Sequence, residues 1–181
     1  MVEIIQRDNK VLRQKAKTVS LEDISSDHVK TVLKNMKIAM HSQKDGIAIA
    51  APQIGESVRI FMISGELLNK VDDKYAEDKK DMIFINPKIT KLSKEKRNME
   101  EGCLSVRWLY GDVKRSTRAS LEALDEHGKK ISRGASGLLA QIFQHECDHL
   151  DGVLFTDTAH KVWEMSPEEI AELEEHKPFA E

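Results

Sequence analysis

The stretch of sequence that decides the fold is SGLLAQIFQHECDHLDG, residues 136–152. Its leucine, isoleucine and phenylalanine residues recur at the spacing of one helix face, and Gly152 stands where helices commonly end. The sequence therefore predicts a helix over about 136–150, with a serine at its start as a candidate cap. Because residues four apart lie one above the other on a helix, His145 and His149 can both reach one metal ion.

The two histidines belong to an HExxH pattern, in which Glu146 follows the first of them. A metal ion with an open coordination position lowers the pKa of its water, and the neighbouring carboxylate can move the proton. The alternative is a helix whose histidines only form hydrogen bonds. A catalytic site needs a third protein ligand, and Phe155 occupies the position of the third histidine in the extended zinc-protease pattern. The remaining candidates are the Cys103 thiolate and the downstream carboxylates of Glu164, Glu168 and Glu169.

Composition places the chain among ordinary globular proteins. Its 181 residues and 20.6 kDa fit one domain, with 40% apolar and 33% charged residues. The net charge is −3, from 28 basic and 31 acidic residues, which argues against broad electrostatic binding to nucleic acid or anionic lipid. No apolar run is long enough to predict a membrane span, and the charged N-terminal stretch does not resemble a signal peptide. Two cysteines cannot form a disulfide scaffold, so we expect a cytoplasmic protein.

The other patterns predict an α+β fold in a single domain over residues 1–181. Apolar residues at helical spacing predict a helix from Asp27 that ends before Gly46, and a serine cap followed by proline predicts a last, acidic helix over about 167–176. We expect mostly antiparallel strands packed around a central HExxH helix, with one helix near each end of the chain. The strands are expected at 2–5, at 58–64, at 82–86 before Pro87, and in a hairpin around 125–128, whereas the charged segment 70–81 is expected to be a loop.

Three separated segments together resemble a known family. They are GIAIAAPQ at 46–53, EGCLS at 101–105 and QHECDH at 144–149. Peptide deformylases carry G-x-G-x-A-A-P-Q, E-G-C-L-S and Q-H-E-x-D-H in this order and at similar separations. The resemblance extends from near the start of the chain to about Thr158, and the three motifs jointly are far more specific than HExxH alone.

The resemblance implies a metal-dependent hydrolase that removes the formyl group from the N-terminal formylmethionine of new polypeptides. It implies one divalent metal ion, Fe²⁺ by preference, with Zn²⁺ or Ni²⁺ as alternatives. Glu146 matches the general base and acid, and Gln53 with the backbone N–H of Leu104 matches the oxyanion donors. The matching metal ligands are Cys103, His145 and His149. The residues expected to hold the peptide are Gly46, Ile47, Ala48, Leu138 and Ile142. For Ile47, Leu138 and Ile142 ordinary core packing is the alternative.

The resemblance also bears on partners and on supporting residues. Nascent formylmethionyl peptides are the implied partners, without direct binding to nucleic acid or membrane. Glu101 and Arg115 match a pair that braces the cysteine loop in the family, and a solvated ion pair is the alternative. In some members a basic C-terminal helix helps docking at the ribosome, so a transient ribosome contact is a further expectation. The acidic segment 166–181 weakens that expectation.

The sequence departs from the family pattern at several positions. Ala48 stands where a second glycine is usual, Gln141 where the pocket-side residue is often aliphatic, and Arg107 where many relatives have proline. Two other functions stay open: a metallopeptidase that uses a downstream glutamate, and a catalytically silent peptide-binding relative. Replacement of Cys103 distinguishes the metallopeptidase from a deformylase, because the metallopeptidase would keep its metal. The intact Glu146 argues against the second.

Overall fold

The computed structural model describes residues 2–66 and 80–175. The helices within these ranges are α1 (Asp27–His41), α2 (Gly137–Leu150), α3 (Phe155–Thr158) and α4 (Pro167–Glu175). The strands are β1 (Ala48–Ala50), β2 (Ile60–Ile63), β3 (Met82–Leu92), β4 (Lys96–Gly102), β5 (Leu109–Ser116), β6 (Arg118–Leu124), β7 (Lys130–Ser136) and β8 (Lys161–Glu164). Short 3₁₀ helices lie at Lys10–Arg13, Asp23–Ser25 and Ala51–Ile54.

The strands form two antiparallel sheets. One sheet has the order β1-β2-β3-β6-β7, and the other has the order β4-β5-β8. This arrangement confirms the predicted α+β fold with mostly antiparallel strands. Strand β1 lies at an edge of the larger sheet and β4 lies at an edge of the smaller one, so among residues 2–66 and 80–175 each has one side without a strand neighbour.

The larger sheet is covered on both faces, which explains why β2 is apolar at every position. Successive side chains of a strand point to opposite faces. Ile60 and Met62 pack in the cluster that contains the buried side of α1, whereas Phe61 and Ile63 pack in the cluster that contains α2. All four are buried, and each contributes roughly 1.5–3 kcal/mol relative to an exposed side chain.

Helix α2 packs against strands of both sheets. Ser136 occupies the N-cap position, as predicted, but its side chain makes no capping hydrogen bond. At the other end, Gly152 adopts a φ of +78°. A Cβ atom at this position would lie 2.8 Å from the backbone of Arg13, so both the backbone conformation and the close approach favour glycine.

The predicted terminal helices are present with their caps. In α1 the side chain of Ser26 accepts a hydrogen bond from the backbone N–H of Val29. Before α4, Ser166 and Glu169 cap each other reciprocally, at 3.2 and 2.7 Å. His176, at the predicted end of this helix, and residues 70–79 of the predicted charged loop lie outside the described residues.

Two strand predictions are wrong. Residues 2–5 form no strand, because their backbone does not join either sheet. Pro87 does not end β3; the strand continues to Leu92 through an irregularity in its pairing between Ile85 and Lys88. A proline has no N–H to donate, and such an irregularity is a place where a strand tolerates one.

Sequence analysis also missed the smaller sheet. Four of the seven residues of β4 are charged, and most of its side chains are exposed, so it lacks the apolar alternation of a half-buried strand. The predicted hairpin is present, with the side chain of Asp125 accepting hydrogen bonds from two backbone N–H groups of the turn between β6 and β7. Across residues 2–66 and 80–175, no helix combines the length and the apolar character that crossing a membrane would require.

Candidate active site

Three side chains converge where α2 faces the residue that follows β4. The ligand atoms of Cys103, His145 and His149 all lie within 4.8 Å of one another. The two imidazoles are one turn apart on α2, with ring centroids 4.9 Å apart, and the sulfur of Cys103 lies 3.1 Å from Nε2 of His149. A thiolate with two imidazoles suits a transition metal such as zinc or iron, and three protein ligands leave a position open.

Neighbouring groups orient these donors for a metal ion. His145 directs Nδ1 towards Oε2 of Glu101 at 2.9 Å, which leaves its Nε2 as the nitrogen that can bind a metal. The sulfur of Cys103 accepts hydrogen bonds from the backbone N–H of Ser105 at 3.4 Å and from Nε2 of Gln53 at 3.6 Å. The residues therefore fit a single metal ion.

The two histidines have pKa values that shift in opposite directions. Burial alone would lower the pKa of His145, but hydrogen bonds to Cys103 and Glu101 outweigh it and raise that pKa well above its ordinary value. For His149, burial lowers the pKa well below its ordinary value, and the neighbouring charge of His145 adds to the effect. The neighbouring Cys103 and Glu101 therefore favour positive charge at the position of His145.

Glu146 is the buried carboxyl group of the site and lines the same cavity. Burial raises its pKa to about 7, against the opposing influence of a charged His145. Its Oε2 atom has no hydrogen-bond partner among the described residues. A carboxyl group with a pKa near neutrality and a free oxygen is suited to take up and return a proton.

A buried ion-pair network supports the site from behind. The carboxylate of Glu101 accepts hydrogen bonds from Nε and Nη2 of Arg115 at 2.7 and 2.9 Å, and Nη1 of Arg115 reaches Asp148 at 2.6 Å. Burial alone would raise the pKa of Glu101, but the hydrogen bonds from His145 and Arg115 lower it to about 2. The alternative of a solvated pair is wrong, because the two side chains are only 3% and 8% exposed.

The two expected oxyanion donors lie at the edge of this group. Gln53 is buried, and its Oε1 accepts a hydrogen bond from the backbone N–H of Ala50 at 2.7 Å. This contact turns the Gln53 amide nitrogen towards Cys103 and Ser105. Leu104 lines the cavity with Gln53. The oxyanion roles of Gln53 and Leu104 stay predictions.

The cavity beside these groups has a volume of about 210 Å³. The edge strand β1 borders it on one side, and the end of the edge strand β4 borders it on the other. Of the residues expected to hold the peptide, Ile47, Ala48, Leu138 and Ile142 line the cavity. Gly46 is not among its lining residues and lies in the turn before β1, where a Cβ atom would collide with the carbonyl oxygen of Met40.

Sequence reasoning missed several residues of the cavity wall. Asp45 and Tyr110 line it, together with Glu100 of β4. The ring of Tyr110 lies against Gly102, where a Cβ atom would be 2.7 Å from it. Asp45 directly precedes the first motif and could have been found by extending that motif. Tyr110 could not, because only the register of β4 and β5, which pairs it with Gly102, brings it to the wall.

Comparison with known proteins tests the family that the three sequence motifs predict. The model of a family described as polypeptide deformylase matches residues 1–164. The chain belongs to the peptide deformylase family. A peptide deformylase of Picosynechococcus is 40% identical over 149 residues, which cover 82% of this chain and 74% of that one. A second, peptide deformylase 2 of Clostridium acetobutylicum, is 38% identical over 151 residues, covering 83% of this chain and 89% of the relative.

Solved structures of peptide deformylases share the fold. A class I type b peptide deformylase from Acinetobacter baumannii superimposes with a TM-score of 0.77 at 29% identity, covering 87% of this chain and 98% of that chain. A peptide deformylase from Plasmodium falciparum, in complex with an inhibitor, gives a TM-score of 0.74 at 31% identity and covers 88% and 90% of the two chains.

Family membership makes the chain a metal-dependent hydrolase that removes the N-formyl group from nascent polypeptides. A single metal ion belongs to this activity, and the group of Cys103, His145 and His149 fits it. The metallopeptidase alternative required a downstream glutamate as third ligand. Glu164, Glu168 and Glu169 all lie in the described part of the chain, and none of them belongs to the group of ligand atoms.

Proposed function

We propose that this chain hydrolyses the formyl amide of N-formylmethionyl peptides at the cavity between β1 and β4. The proposed metal ligands are Cys103, His145 and His149. The observation that supports this proposal is the convergence of their ligand atoms within 4.8 Å, beside a buried carboxyl group that has a free oxygen. We propose Fe²⁺ as the metal, with Zn²⁺ and Ni²⁺ as alternatives that the same donor set accepts. When bound, the metal supplies Lewis acidity towards a carbonyl oxygen and lowers the pKa of water.

Glu146 is the proposed general base and acid. It accepts a proton from the attacking water, whose oxygen forms a bond to the formyl carbon. It then donates that proton to the amine nitrogen as the carbon–nitrogen bond breaks, so the products are formate and a peptide with a free amino terminus. Burial and a pKa raised to about 7 support both steps, because the group must release a proton as readily as it accepts one.

Gln53 and the backbone N–H of Leu104 are the proposed donors to the oxygen that gains charge during attack. The hydrogen bond from the Ala50 N–H to Oε1 of Gln53 fixes the orientation of the amide, so its nitrogen is held ready before substrate binds. Preorganised donors of this kind commonly contribute a factor of about 10²–10³ to the rate.

The substrate peptide is proposed to lie extended between the edges of β1 and β4. Each of these strands has one edge without a strand neighbour in its sheet, and both border the cavity, so main-chain hydrogen bonds can hold an added strand. Ile47, Leu138 and Ile142 supply apolar wall for the methionine side chain. A formyl carbon carries hydrogen in place of a side chain, and we propose that close packing of the cavity wall around this carbon favours it over larger acyl groups.

Three further proposals concern the setting of the enzyme. We propose a cytoplasmic protein, since its substrates are nascent chains. We propose that residues 1–181 act as a single catalytic domain. A transient contact with the ribosome would use a surface other than helix α4, because the sequence of α4 holds five glutamates and no basic residue.

The test of the proposed function is formate release from formyl-Met-Ala-Ser by iron-loaded protein prepared without oxygen. Formate release is expected, and protein that holds iron but yields no detectable formate would overturn the proposal. The same preparation with Cys103→Ala should lose its metal, whereas a site completed by a downstream glutamate would retain it. Metal analysis of both preparations beside the formate assay therefore tests the ligand set independently of the rate.

A further inference from the structure

An ion pair at the wall of the cavity joins Asp45, which lines it, to the segment that follows Cys103. Arg107 lies four residues after Cys103, and Asp45 lies in the turn before β1. The guanidinium group binds both carboxylate oxygens of Asp45, with Nη2 at 2.8 Å from Oδ1, and Nη2 also donates to Oε1 of Gln43 at 3.0 Å. The two charged side chains are only 19% and 26% exposed. A bidentate, largely buried pair is stronger and more directional than a surface pair.

Arg107 is itself held in place from the opposite side. Its guanidinium group lies over the ring of Trp108, with the central carbon 4.6 Å from the ring centroid. Its backbone N–H points to Oε1 of Gln6 at 3.4 Å, and Nε2 of Gln6 donates to the carbonyl of Leu104 at 3.1 Å. The position of Arg107 is therefore tied to the loop that carries Cys103.

The turn that contains Asp45 determines where the wall of the cavity lies. The N–H of Gly46 donates to the carbonyl of Gln43 at 3.2 Å, and the N–H of Ile47 donates to the carbonyl of Asp45 at 2.9 Å. On the sheet side, the carbonyl of Ile47 accepts a hydrogen bond from the N–H of Ser64 at 2.8 Å. Arg107 thus anchors the end of this turn that faces the cavity, while the sheet anchors the rest.

We propose that Arg107 and Asp45 are positioning residues that set the width of the peptide slot between β1 and the Cys103 loop. This inference rests on the proposed function. Asp45 lines the cavity and Arg107 is not among the lining residues, and neither is a proposed metal ligand, base or oxyanion donor. A slot held at the right width spares the peptide the entropic cost of ordering the wall, and the pair therefore acts on peptide affinity. The rate of the chemical step depends instead on the proposed metal site, base and oxyanion donors.

The kinetic test compares Arg107→Ala with the wild-type holoenzyme on formyl-Met-Ala-Ser. We expect KM to rise about 10-fold, kcat to change by less than about 2-fold, and metal content to stay the same. Arg107→Lys, which keeps the charge but loses the bidentate contact, should give an intermediate KM. Exchange of the charges, Arg107→Asp with Asp45→Arg, should restore KM to within about 3-fold of wild type. Arg97→Ala is the control, since Arg97 pairs with Glu95 at an exposed site outside the cavity.

Two measurements do not depend on turnover. Amide hydrogen exchange across residues 43–48 should become about 10-fold faster in Arg107→Ala and stay unchanged in Arg97→Ala. The affinity for the product peptide Met-Ala-Ser should fall about 10-fold in Arg107→Ala. If the wild-type enzyme released no formate, the proposed function would fail while these two measurements would still test the slot. The inference would be overturned if Arg107→Ala left both KM and amide hydrogen exchange unchanged, or if it lost kcat together with metal. It would also be overturned if the variant with swapped charges did not recover the wild-type KM.

Discussion

Replacement of Arg115 by methionine is the perturbation that tests the network behind the metal site most directly. The substitution keeps a long side chain but removes the guanidinium group that binds Glu101 and Asp148. Glu101 is only 4% exposed, so its carboxylate would stay buried with His145 as its remaining hydrogen-bond partner in the network. A buried charge that loses its partner costs far more than the pair itself contributes.

The magnitude follows from the pKa of Glu101. Hydrogen bonds lower it from 4.5 to about 2 against the effect of burial, and each pKa unit corresponds to about 1.4 kcal/mol. The fold therefore favours the ionised carboxylate by about 3 kcal/mol, of which part comes from His145. Breaking one partner of a buried pair typically costs about 3–5 kcal/mol, so we expect a loss of about 3 kcal/mol, at the lower end of this range. For a chain of this length, about 3 kcal/mol lowers Tm by roughly 6–12 °C.

The pH dependence has a definite sign. Because the folded-state pKa of Glu101 is lowered, its stabilising contribution is fully present above the ordinary value of 4.5 and is lost as the pH falls through about 2. In Arg115→Met, fewer hydrogen bonds oppose the effect of burial on the pKa of Glu101. The Glu101 carboxyl group therefore takes up a proton at higher pH than in the wild type. The difference in stability should therefore be full near neutral pH and smaller at about pH 4, below the ordinary value of 4.5.

The assay is urea denaturation of metal-depleted protein, because a bound metal would add its own stabilisation to the folded state. Wild type and Arg115→Met are compared near neutral pH and at about pH 4. Arg97→Met is the matched control, since its pair with Glu95 is 71% and 54% exposed and should contribute less than about 1 kcal/mol. A loss in Arg115→Met no larger than that of the control would refute the reasoning, as would a difference that does not shrink at the lower pH.

Three further predictions concern single side chains. Glu146→Gln should keep its metal and lose formate release by about 10²–10⁴-fold, and substantial residual turnover would contradict its role as base. Gln53→Ala should lower kcat about 10²–10³-fold with the metal retained, as measured by steady-state kinetics beside metal analysis. Leu139→Ala, at a fully buried core position, should cost about 2–5 kcal/mol in thermal or urea unfolding, and a cost below about 1 kcal/mol would show that the core closes around the gap.

Local patterns in the sequence predicted three of the four helices α1 to α4 and two of the three proposed metal ligands. The i and i+4 spacing of His145 and His149 determines that they share a helix face, whatever the rest of the chain does. The reciprocal cap at Ser166 and Glu169 and the glycine at 152 mark helix ends for equally local reasons. The three family motifs added Cys103, which no local rule separates from an ordinary buried cysteine.

The smaller sheet and everything it positions depended on contacts that are distant in sequence. Strand β4 carries charge on most of its exposed positions and resembles a loop until β5 pairs with it. Only that pairing brings Tyr110 to the cavity wall and buries Arg115 against Glu101. The contact between Asp45 and Arg107 spans 62 residues and depends on how the two sheets are placed.

The sequence by itself determined the helix with its two imidazoles, the neighbouring carboxyl group and the family, because helical periodicity and short motifs are properties of adjacent residues. The tertiary structure alone decided that a sulfur 46 residues away meets His149, that hydrogen bonds from His145 and Arg115 lower the pKa of Glu101, and that Arg107 pairs with Asp45 of the cavity wall. These features follow from strand register and from burial, and both arise only when distant segments pack against each other.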